Sequence, residues 1–326
     1  MKTPFSSAIL RGTGAYVPET RLTNADLEKM VDTSDEWIVT RTGIAERRIA
    51  DPSEATSDMA QRAACAALQD AGINAADIDL IVVGTSTPDH HFPSVACKLQ
   101  ASIGCTKAAA FDVNAACAGF ISALQIAEQF IRAGSAEHVL VVGADCMSRI
   151  LDYTDRATSI LFGDGAGAFV LSKGGSGEGG ILSSATYADG TYYDKLYVCG
   201  GGCTTDGQMS KAKVSMNGRA IFQLAVRAMV SATEEVLAKA GFSVGDVDWV
   251  VPHQANQRIT DAVAKGLCIS LEKVISTIKD FGNNSAATVP LAMDIAIKDG
   301  RIQRGDKVIL TAFGGGLSWG SVLLSY

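Results

Sequence analysis

No apolar run in this 326-residue sequence approaches the roughly 18–20 residues that a membrane-spanning helix needs. The apolar stretch near the N-terminus is cut by Arg11 and has no cleavage-type ending, so it does not read as a secretion signal. Positive charge is in deficit. The net charge of −7 and pI near 5.2 argue against a nucleic-acid or anionic-membrane binder, although a local basic patch is compatible with them. The eight cysteines contain no C-x-x-C pair, and 47% hydrophobic residues supply ample core without disulfides. Reduced thiols and a cytoplasmic location are expected. Cys199 and Cys203 flank three glycines, but a second ligand pair and a nearby histidine are missing, so zinc is not expected there. There is no Gly-Lys-Ser/Thr phosphate loop. The string Gly163-Asp164-Gly165-Ala166-Gly167 precedes a strand rather than a helix, which excludes a dinucleotide loop. No organic or metal cofactor is called for.

What the chain does contain is itself, twice. Ala71-Gly72-Ile73 with Asp77-Ile78-Asp79-Leu80-Ile81-Val82-Val83 lies over Ala240-Gly241-Phe242 with Asp246-Val247-Asp248-Trp249-Val250-Val251. Each stretch reads as a helix end, a glycine stop, a short acidic loop and a buried strand. The spacing is 169 residues, from Gly72 to Gly241 and from Asp77 to Asp246. It persists downstream, where Cys117-Ala118 falls on Ala286-Ala287 and Val139-Leu140-Val141 on Val308-Ile309-Leu310. The pattern is that of a tandem duplication of one α/β unit. Near-continuous apolar strands alternating with helices predict sheets covered on both faces, in two halves packed as layers about a pseudo-two-fold axis.

Phe111-Asp112-Val113-Asn114-Ala115-Ala116-Cys117-Ala118-Gly119-Phe120 runs from a short strand into a helix of small and apolar residues. Cys117 sits at the junction, where free backbone N–H groups and the helix dipole favour a thiolate. A buried structural cysteine is the commoner fate of such a residue. The second half offers partners. Trp249-Val250-Val251-Pro252-His253 ends a strand at His253, and Asp280-Phe281-Gly282-Asn283 places Asn283 just before a helix, where it could equally be an N-cap. The duplication sets this second stretch opposite the cysteine loop, so the three side chains can meet.

These segments resemble the β-ketoacyl-[acyl-carrier-protein] synthase III family of thiolase-like condensing enzymes. The likeness runs from Gly12–Pro18 to the last residue, through Ser34-Asp35-Glu36-Trp37-Ile38, Arg41-Thr42-Gly43-Ile44, the cysteine segment, Phe162–Ala168, His253-Gln254-Ala255-Asn256, Gly282-Asn283 and Phe313-Gly314-Gly315-Gly316. The resemblance implies a duplicated thiolase-like α/β fold. Its N-terminal half, residues 1–175, would carry the nucleophile, and its C-terminal half, residues 176–326, the histidine and asparagine.

It also implies an activity: decarboxylative condensation of an acyl-CoA starter with malonyl-[acyl-carrier-protein], initiating fatty acid synthesis. Cys117 would carry the acyl group in a ping-pong cycle. His253 Nε2 and the Asn283 amide would bind the malonyl thioester oxygen, and the backbone N–H groups of Cys117 and Gly315 would form the acyl oxyanion hole. The family's coenzyme A contacts fall on Thr33, Trp37, Arg41, Arg156 and Asn256. Its carrier-protein contacts fall on Gln254, Ala255, Asn256, Gln257 and Arg258, with Lys265 on the same basic helix face. Phe92, in His90-His91-Phe92-Pro93, would reach into the acyl pocket of a homodimeric partner. Arg219 departs from the family's usual asparagine. A relative using another starter for a secondary metabolite, or one that only transfers acyl groups, keeps the same fold. A non-catalytic partner subunit generally loses the nucleophile, and here Cys117 is present.

Overall fold

The computed structural model describes residues 7–175, 178–199 and 212–326. The apolar strings become buried strands, as in Leu80-Ile81-Val82-Val83, whose side chains point alternately to the two faces of a sheet. One sheet holds β1 (Ser7–Tyr16), β2 (Leu80–Gly84), β3 (Ala109–Val113), β4 (His138–Cys146) and β5 (Asp164–Gly174), in the order β1-β5-β4-β2-β3. β2 runs parallel to β3 and β4, while β1 and β5 are antiparallel to their neighbours. A second sheet holds β6 (Gly180–Ala188), β7 (Trp249–Pro252), β8 (Lys307–Gly314) and β9 (Ser318–Ser325), in the order β7-β8-β9-β6. Only β7 and β8 are parallel there.

Six helices build the layers and frame the cavities between the halves: α1 (Asp35–Thr42), α2 (Thr56–Ala71), α3 (Gly119–Arg132), α4 (Gly218–Ala240), α5 (Gln257–Gly266) and α6 (Thr288–Lys298). α3 and α6 lie between the sheets. Phe120, Leu124 and Ile131 of one and Val289, Met293 and Ala296 of the other share a core with Val82, Val141, Leu310 and Val322. α2 covers the outer face of the first sheet, against Ile81, Val83 and Leu140. α4 covers the outer face of the second through Val236 and Leu237, against Ile309 and Leu323. The result is five layers, helix and sheet alternating, with both faces of each sheet buried.

The spacing found in the sequence recurs in three dimensions. β2 and β7 begin at Leu80 and Trp249, α3 and α6 at Gly119 and Thr288, and β4 and β8 at His138 and Lys307. The halves differ at one edge. Where the first half has β3, the second has a short helix, Ile278–Phe281, and a single bridge between Val250 and Val274. The Gln254 carboxamide substitutes for the missing ladder. Its Nε2 donates to the Pro252 and Ile275 carbonyls at 2.6 and 3.2 Å, and its Oε1 accepts from the Thr277 N–H at 3.0 Å.

Candidate active site

β3 ends at Val113, and the chain turns through Asn114 and Ala115 into a tight 3-10 turn, Ala116–Ala118, that opens α3. Ala116 has φ +46°, a conformation strained for any residue with a side chain. Cys117 follows it and is only 7% exposed. Burial, the largest influence, pushes its thiol up to about 12, against a downward pull from the Ser285 side chain. The resting group is therefore a thiol. The helix start favours the thiolate as the sequence suggested, but desolvation opposes it more strongly.

His253 follows β7, held by its N–H to the Thr311 carbonyl at 2.8 Å, and is 3% exposed. Burial pushes its imidazole down to about 3, so the ring is neutral at physiological pH. Its Nδ1 lies 2.6 Å from Thr288 Oγ1. Asn283 is buried too. Its backbone is stitched to the first half, with its N–H on the Leu161 carbonyl at 2.9 Å and its carbonyl accepting from the Gly163 N–H at 3.0 Å. Its Oδ1 accepts from the Ser285 N–H at 2.8 Å, which turns the amide into a fixed donor with Nδ2 left for substrate.

Cys117, His253 and Asn283 line one cavity of about 110 Å³, floored by Phe313 and flanked by Asn256. Cys117 also borders a wider cavity of about 460 Å³, shared with Gly315, Asn114 and Ser285. Gly315 thus meets the cysteine from the other side. Beside it stands Gly314, where an added Cβ would sit 2.7 Å from the Cys117 amide nitrogen. A side chain added there would press on the backbone that carries the nucleophile.

Trp37, on α1, is half-buried, with the Arg156 and Arg41 guanidinium groups 4.8 and 5.7 Å from its ring centroid. Thr33 contributes a buried hydroxyl with no partner among the described residues. Asn256 caps α5, its Oδ1 accepting from the Arg258 N–H at 2.9 Å while its Nδ2 donates to the Arg41 carbonyl at 3.1 Å. That bond ties the tryptophan helix to the cavity wall. Arg258 and Lys265 are exposed, and Ala255 and Gln257 are partly so. Gln254 is not a surface residue. It is 1% exposed, and the bonds that replace the missing strand consume its carboxamide, so it supports the loop from inside rather than meeting a partner. Phe92 is 85% exposed, on a surface groove with His90 and His91. Cys199 is exposed, and Cys203 lies outside the described residues. Among the described residues there is no cluster of three potential metal ligands, and no helix is long and apolar enough to cross a membrane.

The sequence reading missed three residues. Thr288 touches the histidine, and Ser285 sets a buried hydroxyl beside the thiol. Asp145 is fully buried at the end of β4, and its carboxylate accepts from the N–H groups of Ser86, Thr87 and Ala286 at 2.8, 3.1 and 3.0 Å. The repeat offered a signal for all three, since their counterparts at the fixed spacing are Gly119, Ala116 and Gly314.

Two family models match the chain. 3-Oxoacyl-[acyl-carrier-protein] synthase III covers residues 111–190, and the C-terminal part of the same family covers residues 237–326. The β-ketoacyl-[acyl-carrier-protein] synthase III of Rhodospirillum centenum is 51% identical over 327 residues, 99% of this chain and all of that protein. The crystal structure of the Aquifex aeolicus 3-oxoacyl-[acyl-carrier-protein] synthase III superposes with a TM-score of 0.92 at 47% identity, over 98% of this chain and 100% of that one. A priming β-ketosynthase of the R1128 polyketide pathway superposes with a TM-score of 0.93 at 37% identity, over 99% and 98%. A duplicated α/β fold with cysteine, histidine and asparagine converging on one cavity, matched end to end by these proteins, places the chain in the β-ketoacyl-[acyl-carrier-protein] synthase III family.

Proposed function

We propose that the chain condenses an acyl-CoA starter, acetyl-CoA or similar, with malonyl-[acyl-carrier-protein], releasing carbon dioxide and initiating fatty acid synthesis in the cytoplasm. The observation that carries this reading is the single buried cavity bordered by Cys117, His253 and Asn283. The Cys117 sulfur attacks the starter thioester. Its proton passes to the departing coenzyme A sulfur, and the acyl oxygen is held by the backbone N–H groups of Cys117 and Gly315. The malonyl C–C bond then breaks, and its electron pair moves onto the thioester oxygen, which the Asn283 amide and His253 Nε2–H hold. The enolate carbon attacks the acyl carbon, and Cys117 leaves as a thiolate and takes a proton from solvent in place of the one given to coenzyme A. Asn283 does not titrate, so it donates at any physiological pH.

Trp37 with Arg41 and Arg156 beside its ring suits an adenine ring with its phosphates, the unpartnered Thr33 hydroxyl would assist, and Asn256 lines the cavity that holds the sulfur. Arg258 and Lys265 on α5, with Gln257, Ala255 and Asn256 at its start, offer a basic face to an acidic carrier protein. The exposure of Phe92 supports a homodimer in which this ring would enter the acyl pocket of the second copy. The 37% identity to a polyketide priming enzyme favours one second reading, in which the starter is an unusual acyl group for a secondary metabolite.

Intact-mass measurement after exposure to mixed acyl-CoAs tests the proposal and reads the starter. One acyl adduct on the wild type and none on Cys117→Ala is expected, with condensation lost by roughly 10⁴-fold or more in that variant. His253→Ala and Asn283→Ala should slow decarboxylation more than acyl transfer. Equal loss of both half-reactions would mean the roles are misassigned.

A further inference from the structure

A neutral imidazole has a single N–H, and the nitrogen that carries it decides whether the ring can donate into the cavity. His253 is buried and neutral, and among the described residues its ring makes one hydrogen bond, between Nδ1 and Thr288 Oγ1 at 2.6 Å. Thr288 is itself fully buried, at the first residue of α6. Its hydroxyl has one proton and two acceptors within reach: Nδ1, and the Ser285 carbonyl at 3.0 Å. That carbonyl already accepts from the Thr288 N–H, so it stays satisfied when the hydroxyl turns to the ring. We propose that Thr288 is a positioning residue for the decarboxylation: its hydroxyl donates to His253 Nδ1 and so places the ring proton on Nε2, facing the malonyl thioester. A carbonyl in the same place could only accept, and would force the opposite tautomer.

The duplication supports treating the two residues as a unit. At the fixed spacing, His253 and Thr288 correspond to Gly84 and Gly119. Those positions touch in the first half as well, since a Cβ on Gly119 would lie 3.3 Å from the Gly84 Cα. In the first half, both members of the pair lack side chains, and the counterpart of the nucleophile that such a pair would face is Ala286 of the second half. The ring and the hydroxyl are present together or absent together.

The inference rests on reading His253 as a donor to the malonyl oxygen, and its first test needs no turnover. Nitrogen-15 spectra of histidine-labelled full-length protein, with the four rings sorted by a His253→Gln variant, report the tautomer directly. A protonated Nε2 and a bare, hydrogen-bonded Nδ1 are expected. A proton on Nδ1 overturns the proposal, whatever the acyl-adduct experiment shows. In the second test, Thr288→Val should slow decarboxylation on the acylated enzyme about ten-fold or more while acyl transfer stays within about three-fold. Thr288→Ser should restore decarboxylation to within about three-fold of the wild type. Equal slowing of both half-reactions, or no rescue by serine, overturns it. Should the valine variant not fold, the wild-type spectrum and the serine variant still decide.

Discussion

The loop Asn114–Gly119 and its counterpart Asn283–Thr288 have nearly the same backbone and opposite uses. Each opens with an asparagine whose Oδ1 accepts from the N–H two residues on, at 3.3 Å in one and 2.8 Å in the other. Each then passes through a residue with positive φ, Ala116 at +46° and Ser285 at +51°, into a 3-10 turn and a central helix. At the counterpart of Cys117 stands Ala286, whose N–H is taken by the buried Asp145 carboxylate at 3.0 Å. At the counterpart of Asp145 stands Gly314, with nothing to reach the Cys117 N–H. One helix start has its N–H capped by a carboxylate, and the other has no side chain to cap it. A single carboxylate, present or deleted, separates the two.

The largest test of that contrast is to impose the capped state on the open loop. Gly314→Asp should lower acyl transfer to Cys117 by roughly 10²–10³-fold, because the new side chain crowds the loop and occupies the N–H proposed to hold the acyl oxygen. Single-turnover acylation, with circular dichroism to confirm folding, checks it; near-normal acylation would break the comparison. The reverse change strips the cap. Asp145→Ala leaves the N–H groups of Ser86, Thr87 and Ala286 buried without their acceptor, and should cost about 3–5 kcal/mol in denaturant unfolding. A loss below about 1 kcal/mol would mean that the carboxylate does not hold that loop.

Near neutral pH the smallest effect is that of pH itself. Burial pushes His253 down to about 3, so decarboxylation by the acylated enzyme should show no inflection near the ordinary histidine value of about 6.5. The folded ring refuses a proton that the unfolded chain accepts. Stability therefore falls as pH drops from about 6.5 towards 3, by about 1.4 kcal/mol per pH unit for this group. His253→Gln should flatten that slope, and an unchanged slope would place the ring in a wetter setting.

The duplication was legible because its spacing is written in the chain, and with it came the α/β layering and the convergence of Cys117, His253 and Asn283. Local patterns served less well where a residue's partner is remote. Thr288 at a helix start reads as an ordinary helix opener, and its bond to His253 spans 35 residues. Asp145 meets Ala286 across 141 residues, a pairing that no local pattern signals and that only the residue swap at the repeat's spacing hints at. Gln254 was misplaced for the converse reason. Its polarity and its place in a matched motif suggested an exposed contact, whereas the missing edge strand draws its carboxamide inward.

Asn283 belongs to the second half by descent, yet its peptide groups are fastened to Leu161 and Gly163 of the first. The carboxamide therefore rides with the sulfur's half of the molecule, while the imidazole rides on β7. The same loop reaches the imidazole through Thr288, so one short segment fastens both side chains to the half that bears the sulfur. A displacement of Asn283–Thr288 would therefore be transmitted to the carboxamide and the ring together.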